Sequence, residues 1–271
     1  MAGQQMNDPF KIIEPTCISF SGGRTSAYML WRVLQSHGGT LPDDAVVCFA
    51  NTGKEDEATL KFVHDCQTNW NVSITWLEYK WSEKPIDRYK VVSYETAARL
   101  GEPFAESIWQ NGKPYLPNSV QRICTVNTKI KPINAYLKSI NFDDFVTAVG
   151  IRVDEQYRAA KMKDKWTPLV SANVTKQDVL RFWGSNCFDL ELPHNGMYSN
   201  CDLCFMKPAA QVASMIQEKP ERAIWWVKQE EIAKGRFSKD RPSYASMMKF
   251  TKAQIDMFDA DEQAIACFCG D

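Results

Sequence analysis

The fold is decided by residues 16–26, which read Thr-Cys-Ile-Ser-Phe-Ser-Gly-Gly-Arg-Thr-Ser. The first six residues form a short apolar run that is typical of a buried strand. Two glycines follow the run, and a helical stretch begins at Ser26. Glycine lets main-chain amides approach an anion closely, and the amides at a helix N-terminus favour negative charge. The order of strand, glycine loop and helix therefore predicts a phosphate-binding loop at residues 21–26.

The same residues also fit a plain glycine turn in which a Ser or Thr side chain caps the helix. They match neither Gly-x-x-x-x-Gly-Lys-Ser/Thr nor Gly-x-Gly-x-x-Gly. We favour the phosphate loop because its three parts come in the required order. The predicted nucleotide-binding residues of this loop are Ser19, Ser21, Gly22, Gly23, Arg24, Thr25 and Ser26.

Short apolar runs alternate with helical stretches along the first half of the chain. Further strands are expected at residues 45–50, 72–79 and 145–151, with helices at 26–35 and 55–70. Strands separated by helices imply right-handed crossovers and a parallel sheet. We therefore expect the α/β class, with a parallel sheet that carries helices on both faces.

Two parts are expected along the chain. Residues 1–174 would form the nucleotide-binding α/β domain, with an insertion of short helices and loops at about residues 80–126, where prolines are frequent. Residues 175–271 would form a mainly helical C-terminal region that carries a Cys-x-x-Cys and a Cys-x-Cys motif. Helices are expected there at 176–183, 208–219 and 221–233.

Composition narrows the class of protein. The 271 residues include 32 Lys and Arg against 33 Asp and Glu, so the net charge of -1 argues against a broad electrostatic grip on nucleic acid. No apolar run approaches the length that crosses a bilayer. The first residues lack the pattern of a signal peptide, so we expect a cytoplasmic protein without membrane contact. Nine cysteines in a reducing compartment favour metal or redox chemistry over disulfides.

Residues 21–26 resemble the Ser-Gly-Gly-x-x-Ser pyrophosphate loop of the adenine nucleotide alpha-hydrolase (PP-loop) superfamily. Four further elements resemble those of phosphoadenosine phosphosulfate (PAPS) and adenosine phosphosulfate (APS) reductases, in the same order. These elements are Asn51-Thr52-Gly53 with residues 57–59, Cys124 with Lys129, Lys131 and Pro132, residues 150–158, and residues 168–183. The chain is thus identified as similar to the PAPS reductase-like family, in particular to its phage-type members.

The resemblance implies an adenine-nucleotide site at the carboxyl edge of the sheet. Asn51, Thr52 and Gly53 would lie beside the adenosine, Lys129 would add positive charge, and Gly150 would end the fourth strand next to the loop. The nucleotide would be ATP or a phosphosulfate nucleotide.

Two arginines in residues 150–158 are predicted to be catalytic. Arg152 and Arg158 carry planar guanidinium forks that suit phosphate or sulfate oxygens. Arg152 lies just past a strand end, which favours a ligand role. Arg158 equally fits a residue on the surface of a helix.

Cysteines suggest an inorganic centre. Cys201 and Cys204 form a Cys-x-x-Cys pair, and two thiolates at that spacing bind one metal or cluster, or form a redox pair. The resemblance implies a [4Fe–4S] cluster with Cys124 as the third ligand. Cys267 is the predicted fourth ligand, with Cys187 and Cys269 as other candidates. Zinc held by Cys124, Cys201, Cys204 and His194 is the alternative.

Among the other cysteines, one is a candidate nucleophile and three are expected to be buried. Cys269, followed by Gly270, resembles the thiolate on the C-terminal tail of the reductases, although Phe268 stands where the family has Glu. A cluster ligand is an equal interpretation of Cys269. Three cysteines within predicted strands or a helix should pack in the core, namely Cys17, Cys48 and Cys66.

Three functions stay open from the sequence. The first is reduction of a phosphosulfate by a cysteine thiolate. The second is an ATP-dependent PP-loop sulfurtransferase that modifies tRNA or DNA, with magnesium as cofactor, although Thr25 stands where ATP-cleaving members usually carry Asp. The third is a non-catalytic nucleotide- or metal-binding phage protein. The reductant or sulfur donor and the oligomeric state are not indicated by the sequence.

Overall fold

A computed structural model describes residues 8–109, 112–194, 197–198 and 201–253. The strands in this part of the chain are β1 (Thr16–Ser19), β2 (Ala45–Asn51), β3 (Ile74–Glu78), β4 (Lys90–Val92) and β5 (Val146–Val149). They form one five-stranded sheet in the order β4-β3-β2-β1-β5. Neighbouring strands are parallel except at β4, which runs antiparallel to β3.

Ten α-helices accompany the sheet within the described residues. They are α1 (Arg24–Ser36), α2 (Glu57–Asn69), α3 (Glu102–Ile108), α4 (Lys131–Ser139), α5 (Gln156–Ala159), α6 (Pro168–Ser171), α7 (Lys176–Gly184), α8 (Ala209–Glu218), α9 (Arg222–Ala233) and α10 (Tyr244–Ala253). A π-helical turn, Thr125–Ile130, leads into α4. None of the helices in the described part of the chain is both long and apolar enough to cross a membrane.

Helices cover both faces of the sheet. Alternate strand residues such as Ile18 and Phe49 join one core with α1, α2 and α7. The residues between them, such as Cys17 and Leu77, join a second core with α4. This alternation is the period of two that strands impose. The predicted α/β class, with a mostly parallel sheet flanked by helices, is confirmed.

The prediction of a purely parallel sheet is wrong at β4. This strand lies within the segment for which only short helices and loops were expected. Its three residues are too few to show an alternating pattern, and Lys90 and Val91 are exposed. A short edge strand with a lysine is a common way to end a sheet, because it discourages pairing with another chain.

A third core lies among the later helices. Trp226, Phe237 and Tyr244 pack there with residues of α8, and the mainly helical C-terminal part is confirmed. Phe104 of α3 and Cys124 join the same core, so the predicted insertion packs with the last helices. The division of the chain at residue 174 stays a prediction.

The strand order places a switch point beside β1. The chain leaves β1 towards β2 on one side, and β5 pairs with β1 on the other. Open α/β sheets bind ligands in the crevice at the carboxyl ends of strands at such a point. Residues 20–23 after β1 and residues 150–152 after β5 therefore meet where a ligand is expected.

Cysteine reactivity tests the core. Cys17, Cys48 and Cys66 are fully buried, as predicted. A hydrogen bond with Cys17, together with burial, raises the pKa of Cys48, and burial raises the pKa of Cys66. In the folded protein at pH 8, iodoacetamide should label exposed Cys187 at least about tenfold faster than Cys48 or Cys66, since each pKa unit costs a factor of ten in thiolate. Peptide mass spectrometry measures the rates, and comparable labelling while circular dichroism stays native would contradict this packing.

Candidate functional site

The loop after β1 is pressed against α2. Gly22 has a φ of +82°, and a Cβ atom there would lie 2.8 Å from Thr59 Cγ2 and 3.1 Å from a ring carbon of Phe49. Both the dihedral angle and the space require glycine. The loop thus reaches the start of α1 with its main chain close to the sheet.

Ser26 gives the loop its shape. Its hydroxyl donates to Gly23 O at 3.0 Å, accepts from Ser21 N–H at 3.2 Å, and lies 2.9 Å from Ser21 Oγ. These contacts close residues 21–26 into a ring of main chain over the first turn of α1. The two serine hydroxyls therefore hold the shape of the loop at residues 21–26.

The N-terminus of α1 carries no side-chain cap among the described residues. Gly23 is the N-cap residue, and the first turn contains no acidic side chain. The plain interpretation of a Ser or Thr cap is therefore not what the structure contains. N–H groups without a side-chain cap and the positive end of the helix dipole favour negative charge at the carboxyl edge of the sheet.

The Arg24 side chain bonds to residues 189–192 and is not directed at the main-chain amides of the loop. Its guanidinium pairs with Asp189, with Nε 2.7 Å from Oδ1 and Nη2 2.9 Å from Oδ2. The same Nη2 also donates to the carbonyls of Leu190 and Leu192. Trp183 Nε1 donates to the carbonyl of Arg24 at 2.9 Å. The arginine therefore fastens residues 189–192 and α7 to the start of α1.

Arg152 lies beside the start of α1, and its predicted catalytic role stays a prediction. Its Nη1 donates to Thr25 Oγ1 at 2.8 Å, and its Nε donates to Asp154 at 3.0 Å. The Glu155 carboxylate pairs with Arg152 at 3.4 Å and also with Arg158. The side chain of Arg158 is only 11% exposed. Glu155 thus brings both predicted arginines to one place, with the side chain of Arg158 largely covered; its predicted role stays a prediction.

Gly150 allows the segment after β5 to touch α1. A Cβ atom at this position would lie 2.8 Å from Ser26 Cα and 3.0 Å from Ser26 N, both of them backbone atoms. Any side chain would push the start of α1 away from β5.

Replacement of Gly150 by Ala tests this contact. The extra methyl group should lower the free energy of unfolding by about 1–3 kcal/mol, because it overpacks two backbone segments. Gly184→Ala is the matched control, since a Cβ there meets no atom within 4 Å and should change stability little. Urea unfolding measures both, and equal midpoints for the two variants would show that the contact is loose.

The end of β2 forms the second side of the site. Asn51 is fully buried, and its Nδ2 donates to Glu78 Oε1 at 2.7 Å and to Ala98 O at 2.9 Å. Its Oδ1 accepts from Gly53 N–H at 2.9 Å. The side chain of Asn51 therefore shapes the turn. A contact between residues 51–53 and an adenosine stays a prediction.

Cys201 contacts this turn. Its Sγ lies 3.5 Å from Thr52 Oγ1. Behind it, Lys54 pairs with Asp202 at 3.1 Å, and the Asp202 N–H donates to Lys54 O at 2.7 Å. Trp226 Nε1 donates to the same carboxylate at 3.1 Å, and burial raises the pKa of Asp202. The Cys-x-x-Cys loop is thereby anchored to the carboxyl end of β2.

Cys201 and Cys204 are buried and pack against each other and Met206. Cys124 lies just before the π-helical turn and belongs to the helical core instead. Within the residues that the structure describes, no three His, Cys, Asp or Glu side chains converge to hold a metal ion.

The other candidate ligands lie elsewhere or outside the description. His194 lines a surface hollow with Cys187 and Lys61. Cys267 and Cys269 fall outside the described residues. Their predicted roles as cluster ligand and nucleophile stay predictions.

Sequence reasoning missed four charged residues that organise the site. They are Glu55, Glu155, Asp189 and Asp202, each of which accepts a hydrogen bond within or beside the predicted loops. Glu55 and Glu155 follow strand ends closely in the sequence, and that position was a usable signal. Nothing in the local sequence marks Asp189 or Asp202.

Comparison with known proteins finds distant relatives. No family model matches the chain. The chain is 27% identical over 209 residues to an uncharacterized nin region protein of Escherichia phage lambda. The matched region covers 72% of this chain and 67% of the phage protein. It is also 27% identical over 232 residues to an uncharacterized protein of Methanocaldococcus jannaschii, covering 82% of this chain and 42% of the archaeal one. The similarity to a phage protein agrees with the phage relationship expected from the sequence, while the resemblance to PAPS reductases stays a prediction.

Proposed function

We propose that the protein binds an adenine nucleotide, with its phosphates on the main-chain amides at the start of α1, and that it is an enzyme of sulfur chemistry similar to PAPS and APS reductases. The observation that carries the proposal is the uncapped N-terminus of α1 at the switch point of the sheet, with Arg152 Nη1 2.8 Å from Thr25 Oγ1 in its first turn.

The chemistry of this end suits an anion. Main-chain amides and the helix dipole favour a phosphate without a local counter-charge. A guanidinium has five N–H donors. Arg152, which already donates one of them to Thr25, can therefore also donate to a phosphate or sulfate oxygen. Arg158 adds a second positive charge on the same Glu155 carboxylate. Together these groups would orient the phosphate tail and stabilise its charge.

Sulfur chemistry is supported by the position of the thiol. Cys201 Sγ lies at the end of β2, next to the strand whose end carries the phosphate loop. Reduction of a phosphosulfate is therefore the first candidate reaction. An ATP-dependent PP-loop sulfurtransferase acting on tRNA or DNA is the alternative, and the intact Ser-Gly-Gly loop favours it.

The iron–sulfur centre stays a separate prediction. Cys201 and Cys204 offer two buried thiols side by side, but the described residues do not add a third ligand to them. The donors within the described residues do not by themselves complete the ligand set of a [4Fe–4S] cluster or a zinc ion. The proposed nucleotide site does not depend on either.

Removal of Arg152 tests the proposal. The wild-type protein should bind at least one of ATP, APS and PAPS in parallel calorimetric titrations. Arg152→Ala should weaken that binding by about ten- to a hundredfold, because charge-assisted hydrogen bonds contribute about 1.5–3 kcal/mol and 1.4 kcal/mol is a factor of ten.

Arg181→Ala is the control for removal of one positive charge. Its side chain is 77% exposed and pairs with Asp178 on the surface, so nucleotide affinity should not change. Absence of binding by the wild type, or an unchanged affinity in Arg152→Ala, would refute the proposed site.

A further inference from the structure

The buried carboxylate of Glu55 has hydrogen-bond donors for one of its two oxygens and none for the other. Its Oε2 accepts from Thr52 N–H and from Thr52 Oγ1–H, each at 2.8 Å. Its Oε1 has no hydrogen-bond partner, although the side chain is only 2% exposed. A buried carboxylate oxygen without a donor is costly, and native structures normally satisfy such an atom. Thr52 holds the carboxylate in this orientation, so Oε1 keeps an open acceptor position for a donor that approaches it.

Lys129 lies beside this oxygen without bonding it. Its Nζ is 3.7 Å from Oε1, which is an ion-pair distance but too long for a hydrogen bond. The side chain of Lys129 is 17% exposed, against 2% for the side chain of Glu55. The ammonium group therefore offsets the negative charge and leaves the hydrogen-bonding capacity of Oε1 unused.

The position of Glu55 relates it to the phosphate loop. It follows β2, which pairs in parallel with β1, and Phe20 N–H after β1 donates to Cys48 O in β2 at 2.9 Å. A nucleotide whose phosphates lie on the loop after β1 extends its sugar towards the end of the neighbouring strand. In dinucleotide-binding α/β folds, an acidic residue in this region accepts a hydrogen bond from a ribose hydroxyl.

We propose that Glu55 Oε1 accepts a hydrogen bond from a ribose hydroxyl of the bound nucleotide and makes the site select ribonucleotides over deoxyribonucleotides. This inference rests on the proposed nucleotide site. The selectivity follows from the acceptor that lacks a hydrogen-bond donor, because a deoxynucleotide would leave this buried oxygen without one. Sites built to hydrogen-bond a substrate hydroxyl reject analogues that lack it for this reason.

The test compares sugars on one protein. ATP and adenosine 5′-phosphosulfate are each titrated calorimetrically against their 2′-deoxy and 3′-deoxy forms. For the parent nucleotide that binds, the wild type should bind at least one deoxy form about ten- to a hundredfold more weakly. Both deoxy forms within twofold of the parent would overturn the inference.

One variant locates the effect. Glu55→Ala removes the acceptor, so the preference for the ribonucleotide should fall to a few-fold or less. A full preference in a folded Glu55→Ala variant would overturn the inference. If Glu55→Ala does not fold, the sugar titrations of the wild type decide the matter.

Glu57→Gln is the matched control. Its carboxylate is exposed and pairs with Arg99 on the surface, so the preference should be unchanged. If the wild type binds neither ATP nor adenosine 5′-phosphosulfate, this inference is overturned. If it does not bind PAPS either, the proposed function is overturned as well. Binding without any preference between sugars would overturn the inference alone.

Discussion

The candidate site depends on two close main-chain contacts at the carboxyl end of β1: the loop after β1 lies against α2, and the segment after β5 lies against the start of α1. Gly22 lets the loop lie against α2, and Gly150 lets the segment after β5 lie against Ser26. Because side chains are excluded from both contacts, the main chain of residues 21–26 packs closely against α2 on one side and against the segment after β5 on the other. An uncapped helix end at that place is an electrostatic site for an anion before any charged side chain is added.

Two ion pairs between residues far apart in the sequence attach other segments to the start of α1 and to the end of β2. Arg24 draws residues 189–192 and α7 onto the start of α1, and Lys54 with Asp202 draws the Cys-x-x-Cys loop onto the end of β2. Both pairs are largely buried, so each ion depends on its partner, and loss of one would leave a costly unpaired charge. The thiols and the phosphate loop thus lie on one edge of the sheet because long-range ion pairs bring separate segments there.

The strands and most helices were predictable because their patterns are local. Four apolar runs between helical stretches marked β1, β2, β3 and β5, while the three residues of β4 were too few to carry a pattern. The position of Arg152 followed from its place after a strand. Arg24 was assigned to the phosphate because it lies in the loop, but its partner Asp189 is 165 positions away and no local signal reveals it. Glu55 was missed because an acidic residue between a strand and a helix also fits an ordinary helix start.

A structure of the protein with a non-hydrolysable ATP analogue would show where the phosphates bind. We expect phosphate oxygens within hydrogen-bond distance of the main-chain amides of residues 22–26 and of the Arg152 guanidinium. Phosphates bound elsewhere would contradict it, for example in the hollow at the amino edge of the sheet that Lys11, Lys163 and Lys165 line.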